Sequence, residues 1–76
     1  MSPHLPVMSG QQMVDYLSHF GFSTVSQKGS HRKMCHADGR TAIIPMHREL
    51  APGTLRSILR QSGLSIGAVH EWLGTS

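Results

Sequence analysis

The sequence predicts an α+β domain: one helix, a three-stranded antiparallel sheet, a second helix and a short third. Three observations carry this reading. Ser9 and Gln12 have capping-box spacing, and apolar residues at a helical period follow them. Between Phe22 and Met46 the period changes to two, and the run is cut by Lys28-Gly29-Ser30 and by Asp38-Gly39, residues that make tight hairpin turns. Helical periodicity returns after Pro52, which suits the first turn of a helix.

Residues 1–8 hold Pro3 and Pro6 and show no periodicity, so they are expected to be a flexible lead-in, with His4 a solvated tail residue. Residues 9–74 are expected to form a single domain. Ser9 caps the first helix, and Met8 is placed to staple onto Met13. Met13, Leu17 and Phe20 make an i, i+4, i+7 stripe with Tyr16 beside it, and Gly21 is the expected stop. His19 sits where its charge suits the helix dipole and is read as a surface residue. Phe22 to Gln27 is the first strand, with Phe22, Thr24 and Ser26 alternating against Ser23, Val25 and Gln27.

Past the Lys28-Gly29-Ser30 turn, His31 to His36 is the second strand. Arg32, Met34 and His36 share one face, and His31, Lys33 and Cys35 the other. Met34 marks the core side, so His31 and Lys33 share the open face unless a bulge at Gly29 shifts the phase. Thr41 to Met46 is the third strand, with Ile43 and Ile44 at its centre. Pro45 cannot donate to a ladder, which puts this strand at an edge or ends it there. His47 to Ala51 reads as a polar loop. From Pro52 a helix runs to about Ser62 on a Leu55, Ile58, Leu59 stripe, with Arg56 and Arg60 on one face and Gly63 as its end. Ser65 caps a last helix in which Val69, Trp72 and Leu73 pack inward and Gly74 is the stop. Both main helices on one face of the sheet leave the other face open to solvent or a ligand.

Seventy-six residues make one domain at most. The formal charge of +3 and six histidines favour polyanions as partners, chiefly nucleic acid. The single cysteine, Cys35, rules out an internal disulfide framework and fits a reducing compartment. No stretch approaches the roughly 20 apolar residues of a membrane span, and residues 1–8 lack the apolar run of a signal peptide. A cytoplasmic protein without membrane contact is expected.

The chain centres on Gln27-Lys28-Gly29-Ser30-His31, which sets a cation, a glycine turn, a hydroxyl and an imidazole side by side between two strands. A histidine beside a lysine at a turn suits phosphate chemistry. Together with Gly21-Phe22, His36 with Asp38-Gly39, Pro45 with His47, and Pro52-Gly53-Thr54-Leu55-Arg56-Ser57-Ile58-Leu59-Arg60-Gln61, this stretch resembles the HicA toxins of type II HicA/HicB toxin–antitoxin systems. The resemblance runs from about Ser9 to Leu73. It implies a double-stranded-RNA-binding-domain-like fold, ribonuclease activity on mRNA that arrests translation, and a HicB antitoxin that covers the active site in a hetero-oligomeric complex. It places the catalytic histidine at His31. Arg32-Lys33-Met34-Cys35 stands where many members carry a second histidine and bulky apolar residues, which makes this site more cationic.

Such cleavage needs no metal. The 2′-OH attacks the adjacent phosphorus once a base removes its proton, and a donor stabilises the departing 5′-oxygen. Histidine suits either task because both of its forms are populated near neutrality. One imidazole serves one half of this chemistry, and the other half falls to water or a neighbouring donor. Lys28 and Arg32 flank His31 and suit phosphate, as do the backbone N–H groups of Gly29 and Ser30, and Lys33 adds a further RNA contact. No acid–histidine pattern supports Ser30 as a nucleophile, so its expected role is to shape the turn. Arg56 and Arg60 are divided between solubility and contact with phosphate or antitoxin. A zinc site from His31, Cys35, His36 and His47 is disfavoured because alternation sends His36 to the opposite face, so neither metal nor cofactor is expected. The competing function is a non-catalytic RNA-binding module, or a decayed toxin that acts through its antitoxin complex; RNA binding does not require His31.

Overall fold

Six elements follow one another in the computed structural model, which describes residues 5–74: α1 (Gly10–His19), β1 (Phe22–Lys28), β2 (His31–His36), β3 (Thr41–Pro45), α2 (Pro52–Ser62) and α3 (Ile66–Leu73). His4 lies outside the described residues. The strands form one antiparallel sheet in the order β1-β2-β3. This is the expected α+β fold, and its signals are local. Ser9 Oγ accepts from the Gln12 N–H at 3.0 Å while Gln12 Oε1 accepts from the Ser9 N–H at 2.9 Å, closing the capping box. Gly63 and Gly74 end α2 and α3 at φ 74° and 75°, left-handed conformations in which a Cβ is disfavoured. Pro45 is the last residue of an edge strand, so its missing N–H breaks no ladder bond.

One face of the sheet carries the core. Phe22, Met34, Ala42 and Ile44 are buried against Met13, Val14, Tyr16 and Leu17 of α1, Leu55, Ile58 and Leu59 of α2, and Val69 of α3. Trp72 and Leu73 pack on this cluster half-buried, and the Tyr16 ring meets Trp72 edge-on at 5.4 Å. The Tyr16 hydroxyl is buried with no hydrogen-bond partner among the described residues, and desolvation raises its pKa. At the far end of the β2–β3 hairpin, Arg40 lies over the Phe22 ring at 5.3 Å and its guanidinium donates to the Ser62 carbonyl, which ties the hairpin to the end of α2.

Three expectations need correction. Phe20 is the cap residue of α1 and is 38% exposed, so the apolar stripe runs through Val14 instead. Met8 is 1% exposed and its carbonyl accepts from the Leu50 N–H at 2.7 Å, so the packed domain takes in the end of the lead-in. Leu50, placed in a polar loop, is a core residue for the same reason. Ile43, at the centre of β3 as expected, is 42% exposed because it alternates with buried Ala42 and Ile44 and so falls on the open face.

Candidate active site

Lys28 and His31 stand opposite each other at the end of the β1–β2 hairpin, with Gly29 and Ser30 as the two-residue loop between them. Gly29 has φ 59°, and Ser30 does not share the positive sign. This is the demand of a II′ turn, which needs glycine in its first position. A Cβ on Gly29 would meet nothing within 4 Å, so glycine is required for its backbone angle and not for space. Gln27 Nε2 donates to the Gly29 carbonyl at 3.1 Å, and Arg32 Nε donates to Gln27 Oε1 at 2.9 Å. These two bonds brace the turn from one side.

A β-bulge decides which side chains share the face of His31. Thr24 pairs with Met34 and Ser26 with Lys33, which leaves Val25 as an extra residue in β1. Strict alternation from Phe22 would place Lys28 on the core side. The extra residue reverses the phase, so Ser26 and Lys28 join His31 and Lys33 on the open face. The bulge thus falls at Val25 and not at Gly29, and it gathers Lys28 with His31 and Lys33 on the open face. Lys28, Lys33 and His31 are all exposed. Arg32 pairs with Gln27 and Ile44 on the opposite face, is half-buried, and has its Nε engaged. Of the expected phosphate-binding side chains, Lys28 and Lys33 accompany His31 and Arg32 does not, because alternation separates neighbours in sequence.

A second histidine reaches this face. His31 pairs with Pro45, and the ladder continues past the strand end, the Met46 N–H donating to the Ser30 carbonyl at 2.6 Å. The next residue, His47, returns to the side of Pro45. Its carbonyl accepts from the Gly10 N–H at 2.8 Å, which pins it to the first turn of α1. The His31 and His47 rings lie with centroids 6.4 Å apart, inclined at 72°, and both residues are exposed. Gly10 makes the approach possible: a Cβ there would stand 2.2 Å from the Pro45 carbonyl oxygen and 2.8 Å from Met46 Cα.

The other candidates fall elsewhere. Cys35 Sγ lies 3.5 Å from Thr41 Oγ1 at the opposite end of the open face. His36 is on the core side, edge-on to Phe22 at 5.2 Å, and its Nδ1 accepts from the Asp38 N–H at 3.1 Å, which gives it a place in the hairpin turn. Among the described residues no three His, Cys, Asp or Glu side chains are grouped closely enough to hold a metal ion.

The model of the HicA toxins of bacterial toxin–antitoxin systems matches residues 10–64, more than two thirds of the chain. The chain belongs to the HicA toxin family. No curated protein matches its sequence closely. The match takes in every element from α1 to α2, and with them the turn, the bulge, His31 and His47 of this HicA toxin. Among the described residues no helix is long and apolar enough to cross a membrane. The open face offers two imidazoles, which can accept or donate a proton, and two ammonium groups, which can hold a phosphate. Sequence reasoning placed His47 in a loop. The signal that could have found it is parity: two residues past Pro45 at a strand end, the chain returns to the same face.

Proposed function

We propose that this HicA toxin is a metal-independent endoribonuclease that cleaves mRNA in the cytoplasm and so arrests translation, with His31 as a general acid or base. The observation that carries the reading is the exposed His31 imidazole on the same sheet face as Lys28 and Lys33, beside a turn whose backbone can face an anion. RNA supplies its own nucleophile in the 2′-OH, so the protein has to move protons and hold the phosphate. Lys28 and Lys33 serve the second task. Arg32 acts on the turn through Gln27 and not on the RNA. A cognate HicB antitoxin would silence the toxin by covering this face.

The test compares wild type with His31→Ala on purified RNA in the presence of EDTA, and by induction in a bacterial host. Wild type should cut RNA in EDTA and stop growth. His31→Ala should still bind RNA but lose cleavage by about 100-fold or more, the range for removing a general acid or base. Intact RNA with the wild-type protein would refute the reading. Equal growth arrest by both proteins would favour a binding module, which the two lysines alone could sustain.

A further inference from the structure

We infer that His47 is a second catalytic residue, and that His31 and His47 divide the two proton transfers of the cleavage between them. The inference rests on the ribonuclease reading above and supplies what that reading lacks, a partner for His31. Their ring centroids are 6.4 Å apart on one open face. In an in-line displacement the attacking and departing oxygens lie on opposite sides of phosphorus, so the base and the acid must come from two different positions. A phosphate seated over the open face, above the two exposed rings and not between them, puts each oxygen within a hydrogen bond of about 2.8 Å of a different imidazole. A single ring on that face reaches one.

The placement of His47 is built and not incidental. Its backbone is held on both sides, by Met46 N–H to the Ser30 carbonyl and by the Gly10 N–H to its own carbonyl. The first bond fixes it to the residue before His31, so the two histidines are referenced to one hydrogen-bonded pair. The second needs a glycine at position 10, because any Cβ would strike the Pro45 carbonyl oxygen. The charged groups around the pair are Lys28 from β1, Lys33 from β2, and Arg48 and Glu49 next along the chain from His47.

The step balances without a co-reactant. The neutral imidazole of the pair takes the 2′-OH proton as O2′ bonds to phosphorus. The P–O5′ bond breaks, its electron pair stays on O5′, and O5′ takes a proton from the protonated imidazole. The products are a 2′,3′-cyclic phosphate and a 5′-hydroxyl, and solvent returns the pair to its starting protonation.

The experiment measures cleavage by wild type, His31→Ala, His47→Ala and His47→Gln across pH, on an RNA oligonucleotide and on the same oligonucleotide with sulfur replacing the 5′-bridging oxygen at the cleaved linkage. A thiolate leaves without being protonated, so this substrate bypasses the general acid. Wild type should give a bell-shaped profile. Each histidine variant should lose about 100-fold or more, each should lose one limb of the bell, and the limbs should differ. The sulfur substrate should restore one variant and not the other. His47→Gln keeps the main-chain bonds and a polar side chain, so it gives the same reading if alanine unsettles the fold. If wild type cuts and His31→Ala does not, but the His47 variants keep the wild-type rate and profile, the inference fails and the ribonuclease reading stands. If the His47 variants are slow yet keep both limbs, the role of His47 is structural and the inference fails. If wild type does not cut at all, the ribonuclease reading itself has failed.

Discussion

Gly10 shows how one residue can couple the helix to the site. Glycine in a helix ordinarily costs about 1 kcal/mol relative to alanine, so Gly→Ala in a helix is usually stabilising. At position 10 the sign should reverse, because the added methyl would stand 2.2 Å from the Pro45 carbonyl oxygen and 2.8 Å from Met46 Cα. Both are backbone atoms and cannot swing aside. Gly10→Ala should therefore destabilise the fold by about 1–3 kcal/mol, the usual cost of overpacking. Gly53→Ala in α2, where a Cβ meets nothing within 4 Å, should be neutral or stabilising by about 0.5–1 kcal/mol. Paired denaturant titrations of the two variants check this, and a Gly10→Ala protein as stable as wild type would refute the packing argument.

The β2–β3 hairpin carries an electrostatic device of its own. The Arg40 backbone N–H donates to Asp38 Oδ1 at 3.0 Å, and the Arg40 Nε donates to Oδ2 at 2.8 Å. These contacts, the backbone bond first, hold the Asp38 carboxyl below its ordinary value of 3.8. A lowered folded-state pKa means that the carboxylate stabilises the fold at pH values above the unfolded pKa. That contribution is lost as pH falls below it, through the folded value. Asp38→Asn should lower the melting temperature at neutral pH, and the gap from wild type should close as pH drops below about 4. A constant gap from pH 7 to pH 3 would show that the turn depends on shape and not on charge. Because Arg40 also binds the Ser62 carbonyl and covers Phe22, the same titration reports on how firmly the sheet is tied to α2.

The whole molecule separates its two tasks by sheet face. The core side buries Phe22, Met34, Ala42 and Ile44 under the helices, while the open side gathers Lys28, Lys33, His31 and His47. On the proposed ribonuclease reading this cationic face would bind RNA largely through counterion release, so affinity should fall with salt. Lys28→Ala and Lys33→Ala should each weaken binding to RNA of any sequence and reduce the salt slope by about one. Arg32→Ala should leave that slope unchanged, since its Nε is spent on Gln27 at the other side of the sheet. Filter binding of a mixed-sequence RNA over a range of salt distinguishes them, and equal effects of all three would mean that the face separation does not govern RNA contact.

The elements were legible along the chain, because each is announced by residues close together in it. Ser9 with Gln12, Pro52, Gly63 and Ser65 set helix ends through bonds and backbone angles only three or four residues in reach. The Gly29 turn was legible for the same reason, and with it the place of His31 directly after the turn. What tertiary structure decided depends on residues that meet from afar. The extra residue at Val25 becomes visible only when β1 is laid against β2, and it lets Lys28 stand on the open face with His31 while Phe22 stays in the core. Leu50 is buried because the chain around Met8 returns to meet it, and Phe20, at the cap of α1, is partly exposed with its ring edge-on to Tyr16. His47 stands beside His31 because strand pairing brings residues sixteen apart in the sequence to one end of the sheet, and because Gly10 lets α1 close upon it. Periodicity fixes which side of an element is apolar; register and packing fix which polar residues share the side that remains.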